Sequence, residues 1–217
     1  MAFAARPGAR NGNGAHPERV LGIDPAAAGA TGYAILEVDP MRQNEFRVLR
    51  YGAVRPRRSA TPAVRLEGIH RLVAGLLEEF LPGAVAVETP FAALNIRSAL
   101  LLAEVRGVVL LAAAQNHVPV ESYSPREIKA SVAGYGQASK EQMQVMVRSQ
   151  LRLQELPEPH DAADALAVAL CHIHSQRARA RMGAALAANS GNVGQDTAPR
   201  GPASRRPTGA ARAARAR

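Results

Sequence analysis

The stretch Ala84–Val87 constrains the fold most. It is wholly apolar, follows Pro82-Gly83, and stops at the charge of Glu88. A run this short reads as a strand, and apolar side chains pointing both ways must be covered on both faces. It therefore belongs in the middle of a sheet flanked by helices. Thr61 can cap a helix with Pro62 at its first position, reaching about Phe80 with Val64, Ile69, Leu72, Val73, Leu76, Leu77 and Phe80 near helical spacing. Asn95 opens another to about Asn116, and Val118–Tyr123 is again a strand. Ser124-Pro125-Arg126-Glu127 and Ser139-Lys140-Glu141-Gln142 are capping boxes, each the start of a helix. Upstream, Arg19–Ile23, Thr31–Val38 and Glu45–Val54 read as strands with short connections, which implies an antiparallel meander. Strands alternating with helices then add a parallel part. The expected class is α/β, a mixed five-stranded sheet with helices on both faces.

Residues 1–18 and 183–217 carry no apolar period, and we read them as a disordered N-terminal extension and a disordered Arg/Ala-rich basic tail. Residues 19–182 form one domain, with a last helix from Asp161 to about Met182. The formal charge is +9, and six arginines against Asp196 place +5 of it after Met182. The folded part is mildly basic, which favours a polyanionic partner. The N-terminus lacks the apolar core of a signal peptide, and the apolar stretch Ser98–Ala114 is broken by Glu104 and Arg106, so no membrane span is expected. Cys171 is the single cysteine, which rules out an intrachain disulfide and suits a reducing cytoplasm.

Chemistry concentrates in four acids. Asp24 ends the first strand, where Pro25 turns the chain, and Glu88 ends the fourth. Asp161 and Asp164 stand at i and i+3 at the head of the apolar helix DAADALAVALCHIH, about 5–6 Å apart at Cβ. Either aspartate alone is accounted for by the positive end of the helix dipole. Sites in open α/β sheets lie at the carboxyl ends of the parallel strands, where Asp24 and Glu88 would meet if their strands are neighbours. Four acids without matching bases make a poor core and a good cage for Mg²⁺ or Mn²⁺. Two such ions can hold a phosphodiester, activate a water and stabilise the leaving oxygen.

LGIDP, TGY, AVETPF, SALLLAEVRGVVLLAA, SYSPREIKASVAGYGQASKEQMQ and DAADALAVAL, in this order over residues 19–175, resemble the RuvC-type Holliday junction resolvases. The resemblance implies a ribonuclease-H-like fold, a homodimer, and paired nicking of four-way DNA junctions dependent on Mg²⁺ or Mn²⁺. It implies the RuvA–RuvB branch-migration complex as partner. It makes Asp24, Glu88, Asp161 and Asp164 the metal-binding catalytic acids. It also marks Phe91 as an aromatic that packs on junction bases, and Lys129 and Lys140 as bases near the scissile phosphate; the residues alone equally allow Phe91 tucked under its loop and the lysines on a solvated face. Arg97 and the loop Arg55/Arg57/Arg58 are further candidates for the DNA surface, and His160 adjoins the acids as a proton relay, a metal ligand or a simple helix-start residue. The sequence departs from the family at Ala26-Ala27-Ala28, where a glycine and a hydroxyl residue are usual, in a loop one residue longer. The helix after Asn95 is apolar almost all round, so we expect burial in the core or in a dimer interface, with Val105 on the dimer side.

Two other readings exist. Gly-Ile-Asp-Pro with Thr-Gly-Tyr is also faintly similar to actin-like ATPases and sugar kinases, but such a kinase needs a second similar domain, which this length does not allow. A non-catalytic junction-binding protein would not need four intact acids.

Overall fold

A computed structural model describes residues 18–27, 29–39, 45–57, 59–89 and 95–192, with side chains to residue 187. Five strands form one sheet in the order β3-β2-β1-β4-β5. They are β1 (Glu18–Asp24), β2 (Thr31–Val38), β3 (Phe46–Val54), β4 (Ala84–Glu88) and β5 (Val120–Tyr123). The first three run antiparallel, and β1, β4 and β5 are parallel. The crossovers are α1 (Pro62–Phe80) between β3 and β4, and α2 (Ile96–Gln115) between β4 and β5. Then come α3 (Pro125–Ala133), α4 (Lys140–Gln150) and α5 (His160–Asn192). The helix starts follow their caps. Thr61 and Asn95 accept from the backbone N–H three residues on, and Ser124 and Ser139 complete reciprocal capping boxes with Glu127 and Gln142.

Strand parity divides the core in two. Leu21, Ile23, Ile35, Val85 and Val87 pack against Ile69, Val73, Leu76 and Leu77 of α1 and Val105, Val109, Ala112 and Ala113 of α2. Val20, Ala34, Leu36 and Ala86 point the other way, into a cluster with Ile128, Met143, Val147, Leu166 and Leu170 of α3, α4 and α5. Asp24 and Glu88 share parity with Val20 and Ala86, so both leave the sheet on the α5 side. No helix among the described residues is long and apolar enough to cross a membrane.

Several expectations need correction. The α2 helix is not buried all round. Its Val105 and Val109 face α1 and the sheet at 0 % exposure, while Ile96, Leu100 and Leu111 are 80, 62 and 52 % exposed on the opposite side. A crossover helix meets its own sheet along one stripe only. Val105 is therefore a core residue and cannot face a second subunit. The last helix does not stop near Met182, because α5 runs ten residues further, to Asn192. Its extension begins Gly183-Ala-Ala-Leu-Ala-Ala, and the strong helix formers Ala and Leu carry the helix past Gly183. The expected start of the tail is thus helical. At the other end Glu18 already belongs to β1, and β5 begins at Val120 rather than Val118. Two compact units are distinguished, Met1–Ala178 and Arg179–Arg217, and the described part of the second is the solvent-exposed end of α5.

Candidate active site

The candidate site is assembled from three elements. Val20, Leu21, Gly22 and Ile23 of β1 pair in parallel with Ala84, Val85, Ala86 and Val87 of β4. The next residues, Asp24 and Glu88, therefore leave the two strands side by side on one face. The third element is the head of α5. Pro159 O accepts from Ala162 N and Ala163 N at 2.9 and 3.3 Å, which starts the helix and sets Asp161 and Asp164 in its first turns. Close behind them Ala162, Ala163, Ala165 and Leu166 are buried, so the head is pressed onto the sheet.

The acids feel one another. Burial pushes Asp24 well above the ordinary aspartate range, and the charges of Glu88, Asp164 and Asp161 push it further. Burial, then the charge of Asp164, raises Glu88 to about 7. Asp164 is also raised, by burial first; Lys140 opposes that rise and Asp161 adds to it. Perturbation of this kind, with named partners in one place, marks functional sites. Lys140 counters the rise at Asp24, Glu88 and Asp164, and Lys129 counters it at Glu88 and Asp164. The two lysines stand on α3 and at the first position of α4, so the capping boxes of Ser124 and Ser139 aim them at the acids.

The four acids and two lysines picked from the sequence thus share one site. The other candidates do not join it. Arg97 is exposed in the first turn of α2. Arg55 and Arg57 lie in the loop after β3, at the same end of the sheet as Asp24. Phe91, Arg58 and Ala28 fall outside the described residues. His160 touches Gln144, and its charge eases the rise at Asp164. Sequence reading missed two features. Arg65, 15 % exposed at its side chain, donates to Ala27 O at 2.7 Å and so ties α1 to the loop that follows Asp24. Gly22 and Gly32 lie directly beneath α5. Neither carries a sequence signal, because each contact joins residues far apart in the chain.

Chemically, the acids offer oxygen donors alone, and no ion pair joins them to a basic residue among the described residues. That set suits a hard divalent cation. Among the described residues, no three potential ligands converge closely enough to grip an ion as they stand. A cation held between the acids would offset their mutual repulsion.

Comparisons with known proteins show the family and the fold. Residues 20–172 match the family described as Crossover junction endodeoxyribonuclease RuvC. The protein of that name from Dehalococcoides mccartyi is 48 % identical over 160 residues, 74 % of this chain and 93 % of its own. That from Syntrophomonas wolfei is 44 % identical over 159 residues, 73 % of this chain and 90 % of its own. Among solved structures, Thermus thermophilus RuvC superposes with TM-score 0.68 at 37 % identity over 76 % of this chain and 96 % of its own. The same protein in complex with Holliday junction substrate gives 0.69. The yeast mitochondrial Holliday junction resolvase Ydc2, at 14 % identity and TM-score 0.52, shares the fold alone. The mixed sheet with helices on both faces is thus the ribonuclease-H-like fold expected from the sequence. With its matched region holding part or all of each of the five strands and all four acids, the chain belongs to the crossover junction endodeoxyribonuclease RuvC family.

Proposed function

We propose that this chain resolves four-way DNA junctions by metal-dependent hydrolysis of phosphodiesters, with Asp24, Glu88, Asp161 and Asp164 as the metal-holding catalytic acids. One observation carries the reading. Asp24, Glu88 and Asp164 are desolvated, the charges of Glu88 and Asp164 raise Asp24 further and that of Asp164 raises Glu88, and Lys129 and Lys140 oppose the rise without an ion pair to these acids among the described residues. Such a cluster is costly unless cations complete it. Mg²⁺ or Mn²⁺, two ions per site, would supply Lewis acidity and an activated water. Asp24 and Glu88 hold one side of the site from the rigid sheet, and Asp161 and Asp164 hold the other from α5. Lys129 and Lys140 bind and neutralise the phosphate about to be cut. Phe91 stacks on unpaired junction bases, and Arg97 contacts a DNA arm.

The active form is a homodimer. Paired cuts need two sites in fixed relation, and a two-fold dimer supplies them. The exposed stripe Ile96, Leu100 and Leu111 of α2 is the surface that would build it. RuvA–RuvB is the branch-migration partner, and the cytoplasm the compartment. The test is a nicking assay on a synthetic four-way junction. Symmetric nicks with Mg²⁺ or Mn²⁺ and none in EDTA are expected; binding without nicking at any metal concentration would leave a junction-binding protein only.

A further inference from the structure

We propose that Gly32, with Gly22 behind it, is a positioning residue for the active site: a seat without side chains that sets how deeply the head of α5 settles beside Asp24. The inference rests on the metal-site reading above. Gly32 is the cross-strand partner of Asp24, and Gly22 pairs with Ala34 on one side and Ala86 on the other. Across Gly22 the sheet beneath α5 therefore carries side chains no larger than a methyl group. A Cβ built on Gly32 would stand 1.8 Å from Asp161 O, 2.5 Å from Asp161 C and 3.3 Å from Ala162 N. One built on Gly22 would stand 2.3 Å from Ala165 O and 2.9 Å from both Ala169 N and Ala169 Cβ. Most of these are backbone atoms, which no rotamer change can move aside.

Backbone freedom does not explain the two glycines. Gly134 is the glycine with positive φ among the described residues, and Gly22 and Gly32 sit in ordinary strand conformation. Glycine weakens a strand interior, so its place there signals close approach of another backbone. The helical glycines differ, since a Cβ on Gly68, Gly75 or Gly107 would meet nothing within 4 Å. At Gly32 the backbone that approaches belongs to Asp161 itself, one of the four acids. The missing Cβ thus lies where the strand-borne and helix-borne halves of the site join. Ordinary contact begins at 3.4 Å, so a methyl group would lift the Asp161 carbonyl by about 1.6 Å. Functional constellations tolerate about 0.5 Å.

The test compares Mn²⁺ binding, followed by the electron paramagnetic resonance of the free ion, in the full-length protein and in Gly32→Ala, Gly68→Ala and Asp164→Asn. Circular dichroism and junction binding report the fold. Gly32→Ala should stay folded, bind junction DNA, and hold Mn²⁺ roughly 10–100-fold more weakly, the scale for residues that orient ligands. Gly68→Ala should match the parent. A folded Gly32→Ala with parental Mn²⁺ affinity, while Asp164→Asn loses it, overturns the seat and leaves the metal site standing. Parental affinity in Asp164→Asn overturns both. Should Gly32→Ala not fold, Ala169→Val enlarges the helix side of the neighbouring contact at Gly22, and unchanged Mn²⁺ affinity there overturns the proposal equally.

Discussion

Replacing Glu88 by Gln should abolish nicking and, without metal, make the protein more stable. The carboxyl of Glu88 is raised from 4.5 to about 7 by burial and by the charge of Asp164. A folded-state pKa above the unfolded one means that the native state holds the proton more tightly. Its contribution is therefore full below pH 4.5 and is lost as pH rises through about 7. At pH 8 the native state carries an uncompensated charge. At 1.36 kcal/mol per unit the shift is equivalent to about 3 kcal/mol. Water reaches part of the carboxyl, so about 2 kcal/mol is the better figure after screening. Glutamine keeps the shape and removes the charge. Thermal unfolding in EDTA at pH 8 should then rise by about 4–8 °C, given about 2–4 °C per kcal/mol for a chain of this size. The difference should vanish near pH 4. Added Mn²⁺ should raise the parent more than the variant, because a ligand bound only by the native state stabilises it in proportion to its affinity. A Glu88→Gln protein less stable than the parent at pH 8 in EDTA, or a difference independent of pH, would refute the view that Glu88 carries a buried charge that nothing nearby fully offsets.

Three further outcomes are expected. Asp24→Asn and Asp164→Asn should lose nicking at least ~100-fold while binding four-way junctions normally in gel-shift titrations, since phosphate contacts come from basic residues; near-parental nicking at saturating metal would remove that acid from the site. Leu100→Glu, on the exposed stripe of α2, should sediment as a monomer of unchanged stability with unpaired nicks, whereas Val105→Glu should unfold the protein because it buries a charge in the core; a Leu100→Glu dimer would move the interface elsewhere. Deleting Gly183–Arg217 removes +5 of charge and no buried side chain among the described residues, so DNA binding should weaken most at low salt with junction preference retained, and loss of that preference alone would contradict it.

Much of this molecule follows from local rules. Caps at Thr61, Asn95, Ser124 and Ser139 mark helix starts because side-chain oxygens answer orphan N–H groups a few residues away, and such contacts can be read from spacing alone. The apolar run Ala84–Val87 specifies a central strand for the same reason: a two-sided demand for cover is written in the residues themselves. The four acids were legible through spacing and family likeness, since each ends a strand or heads a helix. Tertiary structure alone decided the rest. Only strand pairing shows that Asp24 and Glu88 emerge side by side, because register joins residues more than sixty apart. Which side of α2 is buried depended on where α1 and the sheet lie, so an all-round apolar helix could not declare that Val105 points inward and Leu100 outward. Gly22 and Gly32 look like ordinary interruptions of strands until α5 is laid across them, and no local rule describes an approach between backbones distant in sequence. The desolvation that lifts Asp24 and Glu88 is likewise a sum over neighbours from several elements, which only the folded chain brings together.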